Sequence, residues 1–461
     1  MTLDPSRENQ KMKISNIVLF VAFAGLCLNQ ASAQGVAYPP GSAASRSIGD
    51  SSAALRPAHF NSARSLSDAS VDFAAAQNQG TPSEPALTQG GDSGYPAVSF
   101  DAGPSDNYAG SSYTGNYGSN RSSQVWFSSE TLLWFTRNVS SPALVNTSSA
   151  GIAPVTGVNG VKTVFGGGDG IDYGLAPGFR ISGGMYFGDE QKVGIGGRTY
   201  GLFDPTKTYR LASDGSGTAG NPPIGLPLYD LSTNSERAYT LGATAAGTVD
   251  ARSDLDMYGS DGSLYLLLTR SDSMRMDLLG GYSYNLLRNS IGVETTSAVI
   301  GDPVTNDLFA TKNTFNGGHL GVLSSVDRSR VSFSTLAKIA FGNMHQTGSI
   351  RGYSIVSNTP LGAGIYAQPS NIGEYERDTF AFIPELNLKL GFAASQNVQF
   401  TVGYTMMMWS GVALAGSQID NAIDPTQLVL PLTAGTRPNP MFPNNEAFWM
   451  QGVDLGLNIT F

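Results

Sequence analysis

Ten ionisable residues stand at alternate positions in segments where the residues between them are largely apolar, and they are the residues with the most capacity for chemistry. Acids and bases are mixed, so the set could select ions along a passage, or its members could pair with each other in a buried network. Alternation predicts that all ten face the inside of the fold. They are Glu130, Arg180, Lys192, Arg198, Arg275, Asp277, Lys338, Glu385, Lys389 and Asp454.

The sequence offers little for nucleophilic catalysis, which needs a nucleophile, a base and an orienting group in contact. The chain has three histidines, His59, His319 and His345. Ser324, Ser325 and Asp327 are close to His319 in sequence but lie toward the short turn at the end of the same segment. We therefore predict that the protein is not an enzyme and that His319 is a hydrogen-bonded interior side chain.

Metal and cofactor sites are also weakly supported. Acidic residues at 374–378 and 420–424 could supply oxygen ligands for calcium, but neither segment has the spacing of a calcium loop. The glycine run at 166–170 lacks the Lys-Ser/Thr that follows in a phosphate-binding loop. Cys27 is the only cysteine, which excludes a disulfide within one chain. We expect no metal and no cofactor.

Composition narrows the class of protein further. The formal net charge of -9 argues against nucleic acid as a partner. Charged residues make up only 14% of the chain, against about 25% in ordinary soluble domains. The 56 glycines and the 10% of aromatic residues favour many short strands and turns over long helices.

The elements that position the ionisable residues are predicted to be strands, because apolar and polar residues alternate with period two from about residue 124. The segment 380–392 is the clearest case. Its apolar face consists of Phe380, Phe382, Leu386, Leu388, Leu390 and Phe392, and its polar face of Glu385, Asn387 and Lys389. Near Gly259 and Gly262 the apolar residues change face, which predicts a β-bulge.

Ten strands are predicted, and the lengths of their connections alternate strictly between long and short. Outer-membrane barrels have this asymmetry, with short periplasmic turns and long extracellular loops, whereas the alternative, a soluble β-sandwich, gives no reason for it. The strands are near 124–136, 176–188, 191–203, 252–269, 273–290, 308–326, 329–345, 378–394, 397–412 and 447–461, with short turns near 188–190, 270–272, 327–328 and 395–397. The predicted fold is all-β, an antiparallel up-and-down transmembrane β-barrel of about ten (10–12) strands over residues 122–461.

The number of strands determines how much space is left in the lumen. A barrel of about eight strands is filled by its own side chains, whereas open porins have about 16–18 strands. Ten strands favour a narrow or filled lumen in which the ionisable residues pair with each other. An open lumen lined by selective charges remains the alternative.

The C-terminal strand carries the feature typical of barrels that are handed to the barrel-assembly machinery. Apolar residues alternate up to a terminal aromatic, with Leu457, Ile459 and Phe461 on one face. We expect this strand to close the barrel by pairing with the first strand near 125–135. The alternative, an exposed edge strand of a soluble sheet, would be an aggregation hazard. Outer-membrane lipid and the barrel-assembly machinery are the expected partners.

The N-terminal third precedes the barrel and is predicted to have two parts. Residues 1–33 resemble a secretory signal peptide, with Lys11 and Lys13, an apolar stretch at 14–28 and Ala-Ser-Ala at 31–33. That stretch is shorter than the ~20 residues that a spanning helix needs. Residues 34–121 are rich in Ser, Ala, Gly and Asn, which predicts a disordered periplasmic tail. A segment that plugs the barrel or touches the cell wall is the alternative for this tail.

Several separated motifs between 124 and 461 resemble the planctomycete outer-membrane family known as beta-barrel porin type seven. The matching segments are 130–135, 141–145, 165–167, 178–184, 275–282, 309–321, 380–386, 403–421 and 448–452. His319 and the run 413–415 depart from the family pattern. The resemblance implies an outer-membrane barrel but no demonstrated substrate.

These observations lead to two hypotheses of function at the bacterial outer membrane. The first is a porin-like or channel role for small solutes, with selectivity set by the lumen charges and the long extracellular loops. The alternative is a non-conducting barrel that displays its loops for adhesion or envelope organisation. The solute, if any, and the oligomeric state do not follow from the sequence.

Overall fold

The computed structural model describes residues 123–461 apart from 217, 219, 242–245, 299–303, 357–358 and 429–434. The predicted signal peptide (1–33) and tail (34–121) therefore lie outside the described residues. Within the described part of the chain, no helix is long and apolar enough to cross a bilayer.

The described residues form seventeen strands and two short 3-10 helices, Gly416–Gln418 and Pro425–Leu428. The strands are β1 (Ser123–Thr136), β2 (Val139–Ser148), β3 (Val161–Ile171), β4 (Leu175–Phe187), β5 (Val193–Leu202), β6 (Thr206–Ser213), β7 (Ile224–Asp230), β8 (Ser235–Leu241), β9 (Gly247–Arg270), β10 (Met274–Ser297), β11 (Val304–Arg328), β12 (Val331–Val356), β13 (Thr359–Leu361), β14 (Gly373–Ala393), β15 (Val398–Ala413), β16 (Ala422–Ile423) and β17 (Asn445–Thr460).

Ten of these strands pair in a closed antiparallel ring, in the order β1, β4, β5, β9, β10, β11, β12, β14, β15 and β17. The ring closes where β17 pairs with β1 from Trp126↔Thr460 to Thr136↔Met450. The N–H of Phe461 donates to the carbonyl of Val125 at 2.9 Å. The predicted ten-stranded antiparallel barrel and the pairing of its last strand with its first are both confirmed.

A band of exposed apolar side chains marks the part of the barrel that meets lipid. On β12 the outward residues Val331, Phe333, Ile339 and Phe341 are exposed and apolar. Beyond Phe341 the outward positions become polar, beginning at Asn343. The band on this strand thus covers about 11 residues, the length that a tilted transmembrane strand needs. We call it the membrane band.

Strands β9 to β12 contain 24 to 26 residues each and continue beyond the membrane band toward the long loops. Segments near 291–307 and 346–377, predicted as long connections, are therefore strand over much of their length. The ladder continues because the inner faces of these extensions are covered by folded loops, which remove them from water.

Those loops form a second sheet with the order β16, β7, β2 and β3, and with β8 paired to β7. Its core contains the buried side chains of Leu144, Phe165, Ile224 and Leu226. We call this five-stranded sheet, together with residues 361–372, the cap. The apolar residues of separate loops form one core here, so the loops are ordered, although no local periodicity indicated it.

The bulge predicted near Gly259 and Gly262 is absent from β9, whose register with β5 and β10 is continuous there. Leu255 and Met257 are buried on the inner face, and Leu264 and Leu266 face outward. The apolar residues change face because the two parts of β9 have different surroundings. Its inner face is apolar where it packs on the cap, and its outer face is apolar where it contacts lipid. The register shift of this pair lies instead at Met276/Asp277.

Candidate functional site

The structure places nine of the ten ionisable residues on inward-facing positions of barrel strands, and their side chains are at most 13% exposed. Lys192 is the exception. Its side chain is 68% exposed and pairs with Glu190 in the turn before β5. Alternation predicted a lumen position for Lys192, but β5 begins only at Val193, so the strand geometry does not extend to it.

The first group of lumen charges, the Glu130 cluster, consists of Glu130, Arg180, Lys389 and Asp454. Glu130 accepts hydrogen bonds from both Arg180 and Lys389, and Arg180 Nη2 lies 2.7 Å from Asp454 Oδ2. The indole N–H of Trp134 donates to Asp454 at 2.8 Å. Each carboxylate therefore has charged or N–H donors that compensate for its removal from water.

The second group, the Asp261 cluster, crosses the lumen and consists of Arg198, Asp261, Lys338 and Glu385. Arg198 Nη2 lies 2.7 Å from Glu385 Oε2, and Arg198 Nε lies 2.9 Å from Asp261. Lys338 Nζ lies 2.6 Å from Asp261 and 3.3 Å from Glu385. Because β5 and β14 are five places apart in a ring of ten, the Arg198–Glu385 pair joins opposite walls of the barrel.

A third pair lies nearer the short turns, where Arg275 Nε is 2.7 Å from Asp277. The guanidinium of Arg275 also lies 4.0 Å from the ring centroid of Tyr186, a cation–π contact. Counting this pair, the lumen groups hold five bases and five acids, so their formal charges cancel. Mutual neutralisation, one of the two sequence-based hypotheses, describes this geometry better than a single-sign lining does.

Asp261 was not among the predicted lumen residues, although it accepts from both Arg198 and Lys338. Asp261 was missed because of the expected bulge. Leu255 and Met257 face inward on β9, but the alternate positions that they occupy were interpreted as facing lipid. Continuing these alternate positions through Gly259 leads directly to Asp261.

His319 is buried in the lumen and bonded to two hydroxyls rather than to a carboxylate. Ser283 donates to Asp261 at 2.6 Å and therefore accepts from His319 Nδ1 at 2.8 Å. His319 Nε2 then accepts from Ser263 at 2.9 Å. In this arrangement the Ser283 proton is directed to Asp261, and both ring nitrogens of His319 are hydrogen-bonded, as predicted for an interior histidine.

Above the Asp261 cluster, toward the long loops, a layer of large side chains crosses the lumen. The hydroxyl of Tyr200 on β5 donates to Asn285 at 2.8 Å and contacts Met407 Sδ on β15 at 3.4 Å. Trp134 packs on Tyr200 with a centroid distance of 6.1 Å. A Cβ at Gly259 would lie 2.3 Å from the Tyr200 ring. The ring can occupy this position because residue 259 has no side chain.

The cap is held by a carboxylate on the extension of β11, outside the membrane band. Asp307 accepts the backbone N–H groups of Ile365, Tyr366 and Ala367 at 3.0, 3.0 and 2.7 Å. The hydroxyl of Tyr366 donates to the carbonyl of Pro227 in β7 at 2.9 Å. Burial raises the pKa of Asp307 to about 7, although the three N–H donors act in the opposite direction.

A cavity of about 120 Å³ lies between the lumen charges and the short turns. Liquid water occupies roughly 30 Å³ per molecule, so the cavity has room for a few waters or one small solute. Its lining includes Trp126, Arg198, Lys338, Lys389 and Ser325. We call it the lower cavity.

Two of the three predicted assembly residues, Leu457 and Ile459, lie on outward positions of the closing strand, and Phe461 directly follows its last residue, Thr460. Ile459 pairs with Phe127 and Leu457 with Ser129, and the side chain of Phe461 is half exposed. Their position at the closing seam is compatible with a role in assembly.

Comparison with known proteins gives a family match and remote structural likenesses. The model of the family described as "Putative beta barrel porin-7 (BBP7)" matches residues 126–461. No curated protein matches the chain.

Among solved structures, a FadL homologue of Pseudomonas aeruginosa is 7% identical, with 74% of this chain and 90% of that chain covered and a TM-score of 0.21. The TodX deltaS2S3 mutant monoaromatic hydrocarbon channel is 10% identical, with 76% and 95% covered and a TM-score of 0.18. OmpT of Vibrio cholerae is 8% identical, with 74% and 99% covered and a TM-score of 0.12.

Proposed function

The chain belongs to the beta barrel porin-7 family of the bacterial outer membrane, and we propose that it is a narrow conduit for small solutes that is closed in its resting state. The observation that carries this proposal is the Arg198–Glu385 pair, which joins opposite walls of the lumen. A solute can pass only if this pair separates or moves aside. In a family of porin-like barrels, that makes the lumen charges a gate as well as a lining.

The cap provides a second closure at the long-loop end, which is the extracellular end in barrels of this kind. Its backbone is hydrogen-bonded to inner faces of the strand extensions, as where Ala367 N–H donates to Asp307 at 2.7 Å. A solute from outside would therefore meet the cap first, then the layer of Tyr200, and then the Asp261 cluster. Selectivity would be set by the loops and the lumen charges together.

Planar-bilayer recordings test this order of closures. We expect wild-type protein to give no discrete conductance steps, because both closures are in place. A variant that combines Arg198→Ala, Glu385→Ala and Tyr200→Ala with a short linker in place of residues 138–173 should give steps, because it also removes the ring that crosses the lumen above the charges. Lys338 and Asp261 remain in it as a neutral pair. Folding of each protein is checked by heat-modifiable gel mobility.

Lys192→Ala serves as the matched control, because it removes a lysine that lies outside the lumen. Steady, open-pore conductance from the wild-type protein would overturn the proposal of a closed resting state. Steps from the control variant but not from the combined variant would overturn the assignment of the gate to Arg198 and Glu385.

The second candidate is a non-conducting barrel that presents the cap for adhesion or envelope organisation. It is favoured by one observation, that the loops form a sheet with its own buried core rather than separate strands of chain. If the combined variant is folded and conducts no better than wild type, this candidate replaces the first.

For entry into the membrane, we propose that Phe461 with Ile459 and Leu457 is recognised by the barrel-assembly machinery. Removing Phe461 should reduce the folded, heat-modifiable fraction in outer membranes without changing the amount of exported chain. Unchanged assembly of that variant would refute the proposed signal.

A further inference from the structure

The lower cavity contains more positive than negative charge on its walls, although the lumen as a whole is neutral. Four bases line it, against two acids, Asp261 and Asp277. The bases are Arg180, Arg198, Lys338 and Lys389. Glu130 and Glu385, which pair with several of these bases, are not part of the lining.

The exposed fractions of the side chains differ in the same direction within individual pairs, with the base more exposed than the acid. Lys389 is 12% exposed whereas its partner Glu130 is 1% exposed, and Arg198 is 13% exposed whereas Glu385 is 1% exposed. The bases therefore stand between the cavity and the carboxylates. A solute in the lower cavity meets the cationic side of each of these pairs, which favours an anion.

Two polar groups on the wall have hydrogen-bonding capacity to spare. The hydroxyl of Ser325 is buried, with the residue 4% exposed, and has no hydrogen-bond partner among the described residues. The ammonium of Lys389 carries three donors, and Glu130 is its one hydrogen-bond partner in the described part of the chain. Buried polar groups are normally satisfied, so unused donors facing a cavity point to a ligand or to ordered water.

The register of the barrel places these groups in one row. Ser325 of β11 pairs with Ser334 of β12, and Ser334 pairs with Lys389 of β14. All three line the lower cavity. Neighbouring strands lie about 4.8 Å apart, so a lysine side chain reaches over the middle strand of such a row.

We propose that the lower cavity binds a small oxyanion, a carboxylate or phosphate group that enters from the periplasmic end. Lys389 supplies the charge, and the hydroxyls of Ser325 and Ser334 supply directed hydrogen bonds. Lys338 adds to the positive potential while it stays bonded to Asp261 and Glu385. The inference rests on the proposed function only in treating the lower cavity as the periplasmic end of the same conduit.

Titration calorimetry of the folded, detergent-solubilised protein with inorganic phosphate, and separately with acetate, tests the site at constant ionic strength. We expect saturable binding by the wild type. Ser325→Ala should weaken it by about fivefold, the loss expected for one neutral hydrogen bond. Lys389→Met keeps the apolar stem and should weaken binding by at least about tenfold, since it removes a charged donor. Lys192→Ala, which changes an exposed turn, should bind as the wild type does.

Ser325→Ala keeps the test decisive if Lys389→Met does not fold, because it changes no charge. Absence of saturable binding to folded wild-type protein would overturn the inference, as would equal affinity in the wild type and Ser325→Ala. Binding that behaves as expected, in a protein whose combined lumen and cap variant never conducts, would support the site and refute the conduit.

Discussion

The two ends of the barrel interior are filled in opposite ways. Within the membrane band the strand walls meet through ion pairs such as Arg198–Glu385. Beyond it, the same strands carry apolar inner residues, such as Leu255 and Val293, which lie in one core with residues of the cap. The difference follows from what each half has to contact, since the lower half contacts only its own opposite wall and the upper half contacts folded loops.

This contrast separates two kinds of stability. In the lower half a buried charge is tolerated only while its partner is present, so a single substitution leaves an uncompensated charge. In the cap, stability comes from apolar burial, so the cost of a substitution depends on the volume that is removed. The largest effect is therefore expected in the lumen.

Glu385→Gln should destabilise the barrel by about 3–5 kcal/mol, because it leaves Arg198 and Lys338 with Asp261 as their remaining carboxylate partner. The urea midpoint for loss of heat-modifiable gel mobility measures the change. Adding Lys338→Met restores neutrality and should recover more than half of the loss. If the double variant is no more stable than Glu385→Gln, charge balance is not what holds the lower half together.

Leu226→Ala should lower the free energy of unfolding of the cap by about 2–4 kcal/mol, because Leu226 is fully buried in the core of the cap. We expect faster proteolysis and faster amide exchange in residues 139–171, while the urea midpoint of the barrel stays the same. Leu231→Ala is the matched control, since Leu231 follows the same strand and is exposed. A parallel loss of barrel stability would show that the two halves unfold as one unit.

The raised pKa of Asp307 predicts that the free energy of cap closure depends on pH. Its pKa in the folded protein is raised to about 7 from 3.8, so between these values the closed cap binds more protons than the open one. Closure should therefore be strongest at low pH and weaken as pH rises toward 7, by on the order of 2 kcal/mol between pH 5 and pH 8.

Amide exchange of residues 364–367, corrected for intrinsic rates, measures this closure at the two pH values. Asp307→Asn cannot titrate and should show less than half of the pH dependence. An equal dependence in both proteins would mean that other groups control it.

Alternation with period two was enough to predict the ten strands of the ring and the closing pair, because one side of each of these strands meets lipid. Nine of the ten ionisable residues to which it gave an inward position lie on inward-facing positions of barrel strands. It could not say which charges pair, since the pairing of Arg198 with Glu385 depends on the ring order and on side chains far apart in sequence.

The cap could not be predicted from such a pattern. Its strands are short, the register between β2 and β3 shifts repeatedly, and the apolar partners of each loop lie in other loops. The inner face of β9 also changes from apolar to polar along its length, which concealed Asp261. Both features arise from contacts between distant segments, which leave no local period in the sequence.

The smallest expected effect is at Lys192, where sequence and structure disagree. A lysine on the lumen wall would cost several kcal/mol to remove, as argued for Glu385, whereas an exposed turn lysine should cost less than about 0.5 kcal/mol. Lys192→Ala should therefore leave the urea midpoint unchanged at low and at high salt, because its pair with Glu190 is solvent-exposed and screened. A loss comparable to that of Glu385→Gln would place Lys192 inside the barrel and move the start of β5 toward the turn.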